Sequence, residues 1–161
     1  MATDFKSIGK FEQGAMIAGA VALILSFFES YVTVSAGGFS AGTNAWDSYA
    51  TLGVLLLIAA TAIIAVKAFA GENLPAGVPW SLIAAGAAGL GTLLLILRAF
   101  TYSDGGLGSR VDVGPGWSGW VLFIAGIALT AFAFLSSKAS GEKLPQGNRG
   151  GHTTPPAPPA A

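Results

Sequence analysis

The sequence predicts an all-α membrane protein, in which four transmembrane helices, organised as two parallel-repeat helical hairpins, form a bundle. The first observation is composition. The 161 residues are 53% hydrophobic and only 10% charged, whereas soluble domains carry about 25% charged residues. The second is a set of long apolar runs, and the third is the recurrence of short motifs in the second half of the chain.

The length of the uncharged runs predicts the spans. A bilayer core about 30 Å thick needs about 20 apolar residues in a helix. Residues 48–66, 73–97 and 113–137 contain no charge. Only helices or closed barrels satisfy their backbone hydrogen bonds in lipid, and these runs lack the alternation of barrel strands. The predicted spans cover about residues 12–34, 48–69, 79–101 and 117–137.

The first span is the least regular, because its apolar run meets Glu29 before it continues to Ser35. The lysines that precede it, the apolar stretch and the small residues at 34–36 also fit the outline of a signal peptide. Cleavage there would leave three helices. The repeat favours four spans, since it makes the first span the counterpart of the third.

The distribution of basic residues predicts the orientation. Two of them, Arg98 and Arg110, fall on one side, and six fall on the side that holds both termini. We therefore expect a multi-pass protein of the cell (plasma) membrane with both termini in the cytoplasm. The six are Lys6, Lys10, Lys67, Lys138, Lys143 and Arg149.

The chain divides into three predicted regions. Residues 1–11 form a cytoplasmic N-terminal segment, and residues 12–137 form the four-helix transmembrane domain. Residues 138–161 are rich in Gly and Pro, which is typical of a disordered tail with polyproline tendency. We expect this tail to lie in the cytoplasm.

Motifs recur at a nearly constant offset in the two halves. Gly71-Glu72-Asn73-Leu74-Pro75 returns 70 residues later as Gly141-Glu142-Lys143-Leu144-Pro145. Trp46 likewise matches Trp117. The pattern favours duplication of one hairpin, an arrangement that transporters use and that also builds a plain four-helix bundle.

The duplication places Glu29 and Arg98 at matching positions, near the external ends of spans one and three. An ionisable group in lipid costs a few kcal/mol or more, and less near the interface. Opposite charges at one depth can offset part of that cost by pairing. We predict an intramembrane ion pair between Glu29 and Arg98, and two independently snorkelling side chains are the alternative.

Aromatic residues fall near the ends of the spans, as in the interfacial belt of membrane proteins. We predict interfacial anchors at Trp80, Trp117 and Trp120. The external loops are residues 35–47 and 102–116, and the first ends in the motif of Asn44, Ala45, Trp46 and Asp47.

Small residues four positions apart predict close helix packing, because they let backbones approach where lipid supplies no hydrophobic drive. Ala15 and Gly19 form such a pair in span one, and Ala85 and Gly89 form one in span three. The predicted partners are the lipid bilayer, and a homo-oligomer or other membrane proteins through these helix faces.

Composition also argues against several kinds of site. The chain has no cysteine, and its one histidine, His152, lies in the tail. The membrane region therefore lacks the usual ligands of zinc and haem, and no cofactor and no catalytic centre are predicted. A net charge of zero gives no attraction to nucleic acid.

The loop Asn44-Ala45-Trp46-Asp47, an aliphatic second span and a third span that closes on Arg98 resemble a group of small four-span membrane proteins common in actinobacteria. The resemblance covers about residues 12–137. It implies the topology and a source, and no activity. The first span of that group closes with a Leu-Pro-Trp-type segment, whereas this chain has Phe27-Phe28-Glu29-Ser30-Tyr31.

Two functions remain. The first is a non-enzymatic accessory or scaffolding component of the cell envelope, which acts through helix–helix contacts and its cytoplasmic tail. The alternative is a small oligomeric transporter or channel subunit with Glu29 and Arg98 near its pathway. Transport needs polar groups near the midplane, and the spans supply hydroxyls that can bond their own helix. This favours the accessory role.

Overall fold

The computed structural model describes residues 4–102 and 111–143, so the predicted tail beyond residue 143 lies outside the described residues. Four helices account for most of these residues. They are α1 (Lys10–Ser26), α2 (Ala50–Ala70), α3 (Trp80–Phe100) and α4 (Trp117–Ala139). Short 3₁₀ helices at Phe5–Ser7 and Gly71–Asn73 precede α1 and follow α2.

Three of the four helices, α2, α3 and α4, are long and apolar enough to cross a membrane, with mean hydropathies of 2.4, 2.0 and 2.1. Their bounds lie within about two residues of the predicted spans. The fourth, α1, has 17 residues and is shorter. The described chain is thus mostly helical, as the sequence predicts.

The prediction of one helix over residues 12–34 is wrong from residue 27 onward. Helix α1 ends at Ser26, and the chain turns before strand β1 (Val32–Ala36). Val32, Thr33 and Val34 are β-branched, which favours strand because branching at Cβ restricts these side chains in a helix.

A small antiparallel sheet covers this end of the bundle, where only loops were expected. Strand β1 lies in the middle, between β2 (Phe39–Thr43) and β3 (Val111–Pro115). The turn between β1 and β2 contains Gly37 and Gly38, with φ of 57° and 88°. These positive values favour glycine, which has no Cβ to clash.

The helices form a ring in which each packs mainly against its two chain neighbours, and α1 closes the ring against α4. Helices α1 and α3 are therefore diagonal, as are α2 and α4. Gly53 and Gly91 meet where α2 crosses α3, since a Cβ on either would lie within 2.8 Å of the carbonyl oxygen of the other. Of the two predicted small-residue pairs, Ala15, Gly19 and Ala85 are buried and Gly89 is partly buried.

Candidate functional sites at the two ends of the bundle

Charged side chains that meet across elements gather at the two opposite ends of the bundle. One group, the Arg98 cluster, consists of Arg98, Asp47, Tyr49 and Tyr102, and it lies at the end that carries the sheet. The other group, the Lys67 cluster, consists of Lys67, Glu12, Ser81, Ser136, Ser140 and Glu142.

In the Arg98 cluster, Nη2 of Arg98 donates to Oδ2 of Asp47. The guanidinium carbon lies 4.5 Å from the ring centre of Tyr102 and 5.6 Å from that of Tyr49. A planar cation gains from the negative face of an aromatic ring while its edge donates hydrogen bonds. Arg98 is therefore held by its face and its edge together.

The ion pair of Arg98 corrects the sequence prediction, which paired it with Glu29. Helix α1 ends before Glu29, so this residue lies in an exposed turn rather than inside a helix end. Asp47, which comes just before α2, supplies the carboxylate instead. The predicted pairing required Glu29 and Arg98 to lie at equal depth in two helices. Helix α1 ends at Ser26, so Glu29 is not in a helix.

The motif Asn44-Ala45-Trp46-Asp47 forms the link between α1 and the Arg98 cluster. The side chain of Asn44 accepts from the backbone N–H of Trp46 at 3.1 Å, which closes a tight turn. The indole N–H of Trp46 donates to the hydroxyl of Ser26 at 3.1 Å, and its ring stacks on Phe27 at 5.3 Å. Sequence analysis singled out these residues without assigning their contacts.

Tyr31, one of the aromatic residues near span ends that the belt pattern predicts to be interfacial anchors, is instead fully buried. Its hydroxyl donates to the carbonyl oxygen of Leu95 in α3 at 2.5 Å. Its backbone carbonyl accepts from Gly116 at 3.0 Å, just before α4. A buried tyrosine needs such a partner for its hydroxyl, and here it joins the sheet to two helices.

The three predicted anchors lie at helix starts. Trp80 begins α3 at the Lys67 end, whereas Trp117 and Trp120 begin α4 at the other end and are more than half exposed. Trp117 packs edge-on against Phe28, and Trp120 packs against Phe100. Their positions suit an interfacial role, which stays a prediction.

The Lys67 cluster joins all four helices. Nζ of Lys67, in α2, donates to Ser81 of α3 at 2.5 Å, to Ser140 at 2.8 Å and to Glu142 at 2.7 Å. Glu12 of α1 lies 3.6 Å from the same nitrogen. The ammonium group has three hydrogens to donate, and all three have acceptors within reach.

Glu142 also caps the start of α3. Its Oε2 accepts from the backbone N–H of Ser81 at 2.9 Å and from that of Leu82 at 3.3 Å. The first amides of a helix lack partners within the helix, and the residue before α3 is Pro79, which has no side-chain acceptor. A carboxylate from elsewhere in the chain therefore fills the role.

Burial and the neighbouring charge shift the pKa of Glu142 in opposite directions. Burial alone would raise the pKa of its carboxyl group, but the hydrogen bond and the charge of Lys67, with the bonds from Ser81 and Leu82, hold that pKa below its ordinary value of 4.5. The carboxylate is thus stabilised in its ionised form.

Sequence reasoning missed the Lys67 cluster, although a signal was present. Glu12 and Lys67 are opposite charges at the same end of two adjacent predicted spans. The argument of equal depth that was applied to Glu29 and Arg98 applies to this pair with better reason, since antiparallel neighbours bring them together. Glu142 stood out only as part of the repeated motif.

One apolar cleft opens on the outer surface between α1 and α2. It has a volume of about 290 Å³ and is lined by Gly19, Ala20, Leu23, Ile58, Thr61, Ala62 and Ala65. Its floor is set by Gly19, where a Cβ would lie 2.0 Å from the hydroxyl of Thr61. The lining of the cleft is almost entirely apolar.

Within residues 4–102 and 111–143, no group of three His, Cys, Asp or Glu side chains is placed to hold a metal ion. No family model, curated protein or solved structure matches this chain. The two polar clusters and the cleft are therefore the features from which a function can be argued.

Proposed function

We propose that the chain is an integral protein of the cell membrane, with four spans, that serves as a non-enzymatic accessory or scaffolding component of the cell envelope. The observation that carries the proposal is the distribution of charge in the described bundle. The interacting charges lie at its two ends, and the helices between them are apolar both inside and on the outer surface.

The proposal includes α1 as a span. Its 17 residues cover about 25 Å at 1.5 Å per residue. Glu12, in its first turn, reaches Lys67 of α2 and Ser136 of α4. At its other end, the carbonyl oxygen of Ser26 accepts from Ala45 at 3.1 Å. Because both ends of α1 are level with its neighbours, a bilayer that encloses the others encloses α1 as well.

The cytoplasmic side of the protein is, in this proposal, the end with the Lys67 cluster. The described lysines all belong to that end, namely Lys6, Lys10, Lys67, Lys138 and Lys143. At the other end, the charge of Arg98 is paired with Asp47. Cytoplasmic ends of membrane proteins carry the excess of basic residues.

Two contacts support the duplication of a hairpin. Gly19 of α1 packs against Thr61 of α2, and Gly89 of α3 packs against Thr130 of α4. The glycines are 70 residues apart and the threonines 69, so the two contacts are equivalent under the repeat. The ring order, with α1 diagonal to α3, is what two parallel hairpins would give.

The filling of the interior favours an accessory role over transport. Ala22, Leu57, Ala88 and Leu129 are buried at the centre. The hydroxyl of Thr92 donates to the carbonyl of Ala88 at 2.7 Å, so it bonds its own helix. The described interior thus offers few polar groups to a passing ion, which would need them to replace its water shell.

The surface that the proposal assigns to a partner is the cleft between α1 and α2, and the partner is a transmembrane helix of another membrane protein. Small residues such as Ala62 and Ala65 line the cleft beside Gly19. Helices associate in lipid where small residues let their backbones approach.

Photo-crosslinking in the native membrane tests the partner. A photoreactive residue replaces Ala62 in the cleft, and the matched control replaces Leu90, which is half exposed on α3. We expect Ala62 to crosslink one discrete membrane protein and Leu90 to crosslink lipid. Crosslinks to lipid alone from both positions would count against the accessory role, and solute flux through purified wild-type protein in proteoliposomes would favour the transporter.

Cysteine labelling tests the topology, because the chain has no cysteine of its own. Ser40→Cys in the sheet should react with an impermeant maleimide on intact cells. Ser7→Cys, before α1, should react only after lysis. The reverse pattern would overturn the orientation, and labelling of both sites from one side would show that α1 does not cross.

A further inference from the structure

The end of α4 turns back toward the bundle. Gly141 has a φ of 67°, its N–H donates to the carbonyl oxygen of Lys138 at 3.2 Å, and the N–H of Glu142 donates to that of Ser137 at 3.0 Å. Such a left-handed glycine turn terminates a helix and redirects the chain. Here it carries Glu142 over the start of α3.

The carboxylate of Glu142 is seated by contacts with two other helices. Oε1 accepts from Lys67 in α2, and Oε2 accepts from the first amides of α3 at Ser81 and Leu82. The side chain is only 12% exposed. Every one of these contacts is electrostatic, and a negative charge at a helix start is favoured by the partial charges of the free amides.

One side of this seat is open. A cleft of about 370 Å³ lies beside it, and Glu142 itself forms part of the wall together with Gly77, Val78, Pro79, Gly141 and Lys143. The carboxylate therefore borders open space on one side, while its contacts on the other side are with Lys67 and the first amides of α3. These contacts, rather than packing of the apolar core, hold the carboxylate in place.

The repeated motif provides an internal comparison. Glu72 occupies the position that matches Glu142, 70 residues earlier. It is exposed, in the 3₁₀ helix that follows α2. The motif alone thus does not seat its glutamate, and the seating of Glu142 depends on Lys67 and on the start of α3.

We propose that Glu142 is a releasable latch, which fastens the segment after α4 to the start of α3 and to Lys67. With the latch seated, residues 141–143 are held beside the α2–α3 connection. With the latch released, these residues separate from α3. This inference does not depend on the accessory role, since it concerns only how the end of the chain is held.

A distance measurement between two spin labels tests the latch in the full-length protein in lipid. The labels are attached at Ala76→Cys, in the α2–α3 connection, and at Lys143→Cys, both of which are exposed. We expect a single narrow distance distribution. Adding Glu142→Gln should abolish the narrow peak and lengthen the mean distance, whereas the matched control Glu72→Gln should leave both unchanged.

Lys67→Met should also abolish the narrow peak, since it removes the cation from the seat. A folded Glu142→Gln protein that keeps the narrow peak would overturn the latch, as would an equal broadening in Glu72→Gln. If Glu142→Gln does not fold, Glu142→Asp replaces it, because this variant keeps the charge but is one methylene short of the α3 amides. The same two outcomes then decide.

Discussion

Arg98, near the end of α3, is paired with Asp47, which lies 51 residues earlier in the chain. Asp47 closes the same four-residue motif in which Trp46 bonds Ser26 of α1. One short loop therefore connects α1 and α3. These two helices are diagonal in the bundle, and each packs mainly against α2 and α4. The motif of Asn44, Ala45, Trp46 and Asp47 acts as a brace across the bundle.

Breaking this pair should lower stability. Asp47→Asn keeps the shape of the side chain but removes its charge. The Asp47 side chain is 41% exposed, so solvent weakens the interaction, and we expect a loss of about 1 kcal/mol in the free energy of unfolding. Reversible unfolding in mixed micelles would measure it.

Glu29→Gln is the matched control, since it removes a carboxylate that lies exposed at the same end. We expect its unfolding free energy to equal that of the wild type. If Glu29→Gln costs as much as Asp47→Asn, and their effects with Arg98→Gln are equally non-additive, the brace would involve Glu29 and the geometry above would be wrong.

The helices could be predicted from sequence because each one is determined by the hydrophobicity and length of its own segment. Uncharged runs of sufficient length determine α2, α3 and α4, and no other part of the chain is needed to recognise them. The sheet depends on partners far apart in sequence. Val32 pairs with both Thr43 and Pro115, and its strand is too short to show a clear alternation before those partners are known.

The candidate sites could be predicted only where opposite charges at the same depth in two helices indicated an ion pair. Arg98 was correctly singled out as needing a carboxylate, but its choice of partner depended on where α1 ends. Glu142 was harder to recognise. Its role depends on the turn at Gly141 and on Pro79, which leaves the first amides of α3 without a side-chain acceptor. Neither feature of the sequence indicates that Glu142 and these amides will be in contact.

Close packing of α1 on α2 gives a second prediction. In Gly19→Ala the new Cβ would lie 2.0 Å from the hydroxyl of Thr61, so either the Thr61 side chain or the two helices must shift. We expect a loss of about 1–3 kcal/mol in the free energy of unfolding, as for overpacked cores. Gly86→Ala is the control, because its Cβ meets nothing within 4 Å.

The Gly86→Ala protein should be as stable as the wild type or slightly more so, since alanine favours helix. Adding Thr61→Ala to Gly19→Ala should recover part of the loss, because it removes the two nearest atoms. Equal stability of Gly19→Ala and Gly86→Ala would mean that α1 does not approach α2 as described.

The contacts of Trp46 can be separated by two substitutions. Trp46→Phe keeps a ring beside Phe27 but loses the bond to Ser26, which should cost about 1 kcal/mol of unfolding free energy. Trp46→Ala loses both and should cost about 3 kcal/mol. Trp117→Phe, at an exposed site, should cost less than either, and the same unfolding assay would detect a reversed order.

Acidification should weaken the Lys67 cluster through Glu142. Because the folded protein holds the pKa of this carboxyl group below its ordinary value of 4.5, the unfolded chain binds a proton more readily than the folded one. The stabilisation is therefore complete above about pH 4.5, and it is lost as the pH falls through the lowered pKa of the folded state. Lys67 faces the carboxylate at 2.7 Å, and Glu12 faces Lys67 from α1 at 3.6 Å.

Glu142→Gln should remove this contribution. The difference in unfolding free energy between wild type and Glu142→Gln should be constant near neutral pH and should shrink on acidification below about pH 4.5. Glu72→Gln, whose glutamate is exposed, should follow the wild type at every pH. A difference for Glu142→Gln that stays constant down to acidic pH would show that ionisation of the carboxyl group does not contribute to stability, and that the charge of Lys67 does not hold it.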